Sequence, residues 1–178
     1  MPSLQGKRVA AIVTDGFEQS ELLDPKHALE QAGARVDVVA PKAGEVRGWK
    51  DKNWGERVHV DRTLDEADAR EYDAVLLPGG VMNPDALRLS PKAVAFVRTA
   101  FESGKPIAAI CHGPWTLIDA GLVKGKRMTS WPSLKADLTN AGARWVDEEC
   151  VVDGRLITSR KPDDIPAFSR AVIASLAD

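Results

Sequence analysis

Four short runs in this chain are apolar almost without interruption, and each gives way to a turn. They are Arg8-Val9-Ala10-Ala11-Ile12-Val13, Arg35 to Ala40, Asp73-Ala74-Val75-Leu76-Leu77 and Pro106-Ile107-Ala108-Ala109-Ile110. A strand with one wet face alternates apolar and polar residues. A run that is apolar on both sides fits a strand covered on both faces, as in a parallel sheet. Helical patterns lie between these runs. Pro91 to Ser103 is amphipathic, with Val94, Val97 and Phe101 recurring on one face and Gly104 as a stop. Strand and helix thus alternate, which predicts one largely parallel sheet with helices on both sides.

The remaining segments fill in this plan. After Thr14-Asp15-Gly16-Phe17 a helix in two pieces is expected, with Asp24 as N-cap, Pro25 at the first helical position and Gly33 at its end. Residues 42–54 read as a loop or hairpin, and Val58-His59-Val60 as a short strand. A helix runs from Pro114 to Ala120, and a shorter one lies near Ser133–Asn140. A hairpin turns at Asp153-Gly154. A last helix follows Pro166, with Phe168, Val172 and Leu176 on its apolar face.

The bulk properties narrow the function. The chain has 178 residues, 44% hydrophobic and 28% charged, which suits one domain spanning residues 1–178. Its net charge of −2 gives no electrostatic case for nucleic acid or an anionic membrane. Two cysteines, Cys111 and Cys150, make no disulfide framework, so a reducing, cytoplasmic setting is expected. The N-terminus lacks a signal-peptide apolar core, and no apolar run is long enough to span a bilayer. The Gly-rich dinucleotide and P-loop patterns are missing, and His27, His59 and His112 show no paired metal-ligand spacing. No cofactor and no metal are expected.

Three strands end in unusual turns: Thr14-Asp15-Gly16-Phe17-Glu18, Pro78-Gly79-Gly80 and Cys111-His112-Gly113. If the strands are parallel neighbours, the turns share one edge of the sheet, where open α/β sheets place their sites. A cysteine after an apolar strand is more often a core residue. Here, strand, Cys111, His112, Gly113 and a helix-starting Pro114 have the layout of a nucleophile elbow. The helix N-terminus favours thiolate, the reactive form. His112 is a candidate base or imidazolium partner. Glu18 is either an acidic residue favoured at a helix start or a carboxyl group against the thiol, raised by burial so that it can donate to thiolate. Gly79 and Gly80 are turn residues whose bare backbone could also approach an oxyanion. Cys150, between Glu148-Glu149 and Val151-Val152, reads as a strand residue. Of the five tryptophans, Trp145 reads as core. Trp49, Trp54, Trp115 and Trp131 read as site-rim or interface residues.

The elbow Ala109-Ile110-Cys111-His112-Gly113-Pro114 resembles that of the PfpI/ThiJ superfamily, in its PfpI-like protease and general stress protein branch. Leu77-Pro78-Gly79-Gly80, Gly16-Phe17-Glu18, Thr158-Ser159-Arg160 and Pro162-Asp163-Asp164 carry the same resemblance in the same order. It implies a flavodoxin-like three-layer α/β sandwich with a mostly parallel sheet, of the class I glutamine amidotransferase-like type. It further implies Cys111 as nucleophile, Glu18 as its hydrogen-bonded carboxyl partner and His112 as triad histidine. Asp85 matches the triad acid, which in this family comes from a neighbouring subunit. The backbone N–H groups of Gly80 and His112 match the oxyanion hole. The implied partners are further copies of the chain, as a homodimer or larger homo-oligomer. Class I glutamine amidotransferases themselves need a histidine and a glutamate far downstream of the cysteine, and His112 is the last histidine here.

Three functions are then expected, in this order. The first is a cysteine hydrolase acting on peptides, linked to stress response. The second is hydration of methylglyoxal to lactate, or removal of early glycation adducts, by the same thiol adding to an aldehyde. The third is a non-enzymatic redox sensor or chaperone built on oxidation of Cys111.

Overall fold

The computed structural model describes residues 2–177. In chain order its elements are β1 (Arg8–Ile12), β2 (Phe17–Glu18), α1 (Gln19–Gln31), β3 (Arg35–Ala40), β4 (Glu45–Lys50), β5 (Asn53–His59), β6 (Arg62–Thr63) and β7 (Ala74–Leu77). There follow α2 (Met82–Leu87), α3 (Pro91–Glu102), β8 (Ile107–Ile110), α4 (Pro114–Asp119), β9 (Arg127–Met128), α5 (Lys135–Asn140), β10 (Arg144–Trp145), β11 (Val151–Asp153), β12 (Leu156–Ser159) and α6 (Ile165–Ala177).

The central sheet has the order β11-β12-β8-β7-β1-β3-β6, and every pairing is parallel except β11 with β12. The apolar runs are explained by what covers them. Val9 and Ala11 of β1 pack with Leu22 and Leu29 of α1 and Phe168 and Val172 of α6. Ala10 and Ile12 face the other way, toward Ala93, Phe96 and Val97 of α3 and Leu117 of α4. Successive side chains of a strand alternate between faces, so a strand covered twice needs both sets apolar. The result is a three-layer α/β sandwich with α1 and α6 on one side and α2 to α5 on the other. Among the described residues, no helix is long and apolar enough to cross a membrane.

From β1 the chain crosses through α1 to β3, and later from β7 through α3 to β8 on the opposite side. The order therefore reverses between β1 and β7. A crevice opens outside the carboxyl ends of strands at such a point. The turns after β1, β7 and β8 meet there, as their shared edge requires.

Three expectations are corrected. The helix expected in two pieces is continuous: α1 runs through Pro25. Proline removes the N–H that would bond the Glu21 carbonyl, yet Glu21, Leu22, Pro25 and Leu29 form one buried stripe whose packing carries the helix across the gap. The segment around residue 50 is a hairpin that extends through His59, so the short strand expected at Val58-His59-Val60 is the end of β5. It pairs with β2 in a second, three-stranded sheet beside the crevice. Asn83-Pro84-Asp85, where no helix was expected, lies within the helix α2.

Candidate active site

Cys111 follows β8 in a left-handed conformation, with φ 63°, which few non-glycine residues adopt. Two bonds hold that backbone: the Cys111 N–H donates to the Ser159 carbonyl at 3.0 Å, and its own carbonyl accepts from Trp131 N–H at 2.9 Å. The sharp turn lifts the side chain out of the sheet edge. Cys111 remains only 7% exposed. The backbone N–H groups of Gly80 and His112 lie near enough to its sulfur to lower the thiol pKa. These are the two groups expected to form the oxyanion hole.

Gly80 has φ 80°, and a side chain there would strike the Gly16 carbonyl and the Glu18 amide. Its neighbour Gly79 is tighter still. A Cβ on Gly79 would lie 2.5 Å from Glu21 Oε1 and 2.6 Å from Cys111 Cβ. The turn is held by Asn83, fully buried, which accepts the Thr14 N–H at 2.8 Å and donates to the Pro78 carbonyl at 3.0 Å.

The carboxyl partner of the thiol is Glu21, not Glu18. Glu21 has no exposed surface. Its Oε1 accepts the Gly79 N–H at 3.0 Å, its Oε2 has no hydrogen-bond partner among the described residues, and its carboxyl interacts with the Cys111 thiol. Burial, followed by the negative charge of Glu18, pushes its pKa up to about 8. At neutral pH Glu21 is therefore mostly a neutral acid, and a neutral carboxyl group has an O–H to donate to thiolate. Glu18 lines the same cavity but keeps partial contact with solvent. Burial and the nearby Asp51 raise its pKa as well. The physical role foreseen for Glu18 thus belongs to the glutamate one helical turn later.

The thiol is not acidified as the helix start led one to expect: its pKa lies above the ordinary value. Burial, then the charge of Glu21, push Cys111 up, while the N–H groups of Gly80 and His112 pull it down. The helix after it, α4, has six residues, so its dipole is weak help. Cys111 and Glu21 are consequently a coupled pair in which ionising one holds the proton on the other. A thiolate at Cys111 is favoured when Glu21 keeps its proton.

His112 stands with Nδ1 3.2 Å from Cys111 Sγ. Its ring lies edge-on to Trp115 at 5.0 Å and stacks on Trp131 at 6.1 Å. Burial lowers its pKa, so it is neutral at pH 7 and able to accept a proton. Among the described residues no carboxylate of the same chain hydrogen-bonds this ring. Asp85 is exposed on α2, beside the buried Asn83 and Pro84, and does not reach His112. One chain therefore joins Cys111, His112, Glu21 and the Gly80 amide, and leaves Asp85 outside.

A cavity of about 480 Å³ opens over Cys111. Glu18, Glu21, Trp49, Val81, Met82 and Trp131 are among its lining residues. Trp49 and Trp131 are rim residues, as expected; Trp145 packs partly buried against the core, and Trp115 lies behind His112. Cys150 is half-buried near Ser159, and burial raises its pKa. No group of three or more metal-ligating side chains occurs among the described residues.

Sequence reasoning missed Glu21 and Asn83. A signal for Glu21 was present: it sits on the same helical stripe as Leu22, Pro25 and Leu29, where a carboxyl group has no business unless it has a use. Asn83 gave no such signal, because α2 was not foreseen.

Comparison with known proteins identifies the family and the fold. A deglycase of Thermococcus kodakarensis is 43% identical over 169 residues, covering 95% of this chain and 99% of that protein. YraA of Bacillus subtilis, provisionally named a cysteine protease, is 44% identical over 165 residues, covering 92% of this chain and 95% of its own. A two-domain protein of Anabaena variabilis, with DJ-1/ThiJ/PfpI-like and ferritin-like domains, superposes with a TM-score of 0.91 at 42% identity. That match covers 96% of this chain and 48% of the larger one. The DJ-1/PfpI family model matches residues 7–175, and the chain belongs to the DJ-1/PfpI family.

Proposed function

We propose that this protein is a cysteine-dependent hydrolase acting on reactive dicarbonyls, or on the early glycation adducts they form. The observation that carries this reading is the buried Glu21 carboxyl, neutral at neutral pH, set against the Cys111 thiol on the cavity wall. The Cys111 thiolate adds to the aldehyde carbon. A C–S bond forms, and the carbonyl π pair moves to oxygen beneath the Gly80 and His112 amides, where it takes a proton. With methylglyoxal the hydrogen on that carbon then leaves as a proton, and one is returned at the neighbouring carbon, giving a thioester of lactate. Water cleaves the thioester and the thiol is restored. The sum is methylglyoxal plus water to lactate, with no external oxidant. Glu21 and neutral His112 are the groups placed to move these protons. The name of the Thermococcus relative supports this reading.

A peptidase is the second reading, and the 3.2 Å approach of His112 Nδ1 to the sulfur favours it. A peptidase needs that imidazole oriented by an acid. In this reading Asp85 of a second copy supplies it. Two experiments test the pair. Turnover of methylglyoxal and of an unstructured protein is measured side by side, each with a Cys111→Ala control. Thiol-dependent turnover of methylglyoxal alone supports the first reading; turnover of the unstructured protein alone overturns it. Asp85→Ala and Cys111→Ala chains, each shown to fold, are then mixed and allowed to exchange subunits. Recovered activity places Asp85 in trans, and no recovery despite exchange removes it from the site.

A further inference from the structure

Adding an aldehyde to Cys111 with its oxygen beneath the Gly80 and His112 amides fixes where the rest of the substrate goes. The substituent must face the other lining residues, and these include the large apolar side chains Trp49, Trp131, Val81 and Met82. No lysine or arginine is among the residues lining the cavity. A volume of about 480 Å³ holds on the order of fifteen waters. A three-carbon aldehyde leaves most of that space unfilled, and its methyl group touches little of the aromatic wall.

Trp49 is a constructed part of that wall. It lies directly across from Glu18 in the β2–β4 pairing. A register shift between Arg47 and Trp49 breaks the regular alternation of β4 just before it. Gly48 lets the hairpin close on β2: a Cβ there would sit 3.1 Å from the Phe17 ring and 3.2 Å from Gln19 Cβ. Gly16 N–H donates to the Arg47 carbonyl and Arg47 N–H to Asp15 Oδ1, each at 2.8 Å. The Trp49 ring is braced edge-on by Trp54 at 5.4 Å. Trp131 also borders the cavity, but it stacks on His112 and so cannot be changed without touching the reaction. Trp49 has no such contact with the reacting groups.

We propose that Trp49 is a specificity-determining residue, selecting α-oxoaldehydes with a flat aromatic or bulky apolar substituent over methyl-substituted ones. This inference rests on the dicarbonyl reading above. A planar ring packed on the indole gains contact that a methyl group cannot, and it displaces more water from the cavity.

The test measures kcat and KM for phenylglyoxal and methylglyoxal in the unaltered protein and in Trp49→Ala and Trp49→Phe. The kcat/KM ratio of phenylglyoxal to methylglyoxal is expected to exceed one by about tenfold or more, consistent with discrimination by apolar contact. Trp49→Ala should lower that ratio roughly tenfold, mainly through the KM for phenylglyoxal. Trp49→Phe, which keeps a flat apolar surface and guards against an unfolded Ala variant, should retain most of the ratio. Equal ratios in all three proteins, or a ratio near one in the unaltered protein, overturn the role of Trp49 and leave the dicarbonyl reading standing. Thiol-dependent turnover of neither aldehyde overturns the reading beneath it instead.

Discussion

Glu18 and Glu21 carry the same carboxyl group, lie three residues apart where β2 runs into α1, and line the same cavity. Glu18 keeps contact with water and is raised by partial burial and by Asp51. Glu21 points inward from the buried stripe of α1, is cut off from water, and meets the Gly79 amide and the Cys111 thiol. A difference of one helical turn separates a cavity-wall carboxylate from a proton donor. What decides the role is the desolvation each oxygen suffers, because a carboxyl group without water or a cation cannot easily hold its charge.

The sharpest way to break this comparison is to remove each carboxyl group in turn. Glu21→Leu is expected to lower turnover by about a hundredfold or more, the usual cost of losing a positioned acid. It should also change the Cys111 thiolate titration followed by absorbance against pH. An unchanged titration would return Glu21 to a purely structural role. Gly79→Ala attacks the same arrangement from the backbone, since the added carbon would press on Glu21 Oε1, Cys111 Cβ and the Ile110 carbonyl. A loss of about 3 kcal/mol in denaturant unfolding is expected, together with loss of activity.

Stability against pH sharpens the comparison further. The Glu21 pKa is raised from 4.5 in the open chain to about 8 in the folded one. Between those values the folded state holds a proton that the unfolded state has lost. Stability therefore falls as pH rises through this window, by about 3 kcal/mol from pH 4.5 to pH 7 on account of this group. Glu21→Gln, which cannot ionise, should flatten that fall in urea titrations at a series of pH values. A slope identical to that of the unaltered protein would mean that Glu21 is charged at neutral pH. The smallest effect is expected from Glu18→Gln. Removing its charge takes away one of the influences that raise Glu21, so the pH-dependent fall should be smaller and end at a lower pH, and turnover should change less than about fivefold. A loss comparable to that of Glu21→Leu would put Glu18 at the reaction centre after all.

Much of this was legible in the sequence. The doubly apolar runs at Val9–Val13 and Ile107–Ile110 announced a covered parallel sheet, because the alternation of strand side chains leaves no other use for such runs. The strand-to-helix turn at Cys111 was legible because glycine and proline mark backbone geometry locally. The ends of the three strands could be placed on one edge from topology alone. The segment carrying Trp49 was legible as a loop or hairpin, without the partner it pairs with. Its role depends on pairing with β2, a contact between segments some thirty residues apart in the chain.

The sequence by itself determined the layers of the fold and the position of Cys111 at a strand end, since each follows from local periodicity or turn chemistry; the pairing of the Gly80 and His112 amides was implied only by the family resemblance. Tertiary structure alone decided which glutamate reaches the thiol, that His112 meets no acid among the described residues of its own chain, and that Trp49, legible only as a rim or interface residue, borders the cavity. Those outcomes depend on distances and desolvation summed over elements far apart in sequence. A shift of one helical turn moves a carboxyl group from the rim of the cavity to its buried floor.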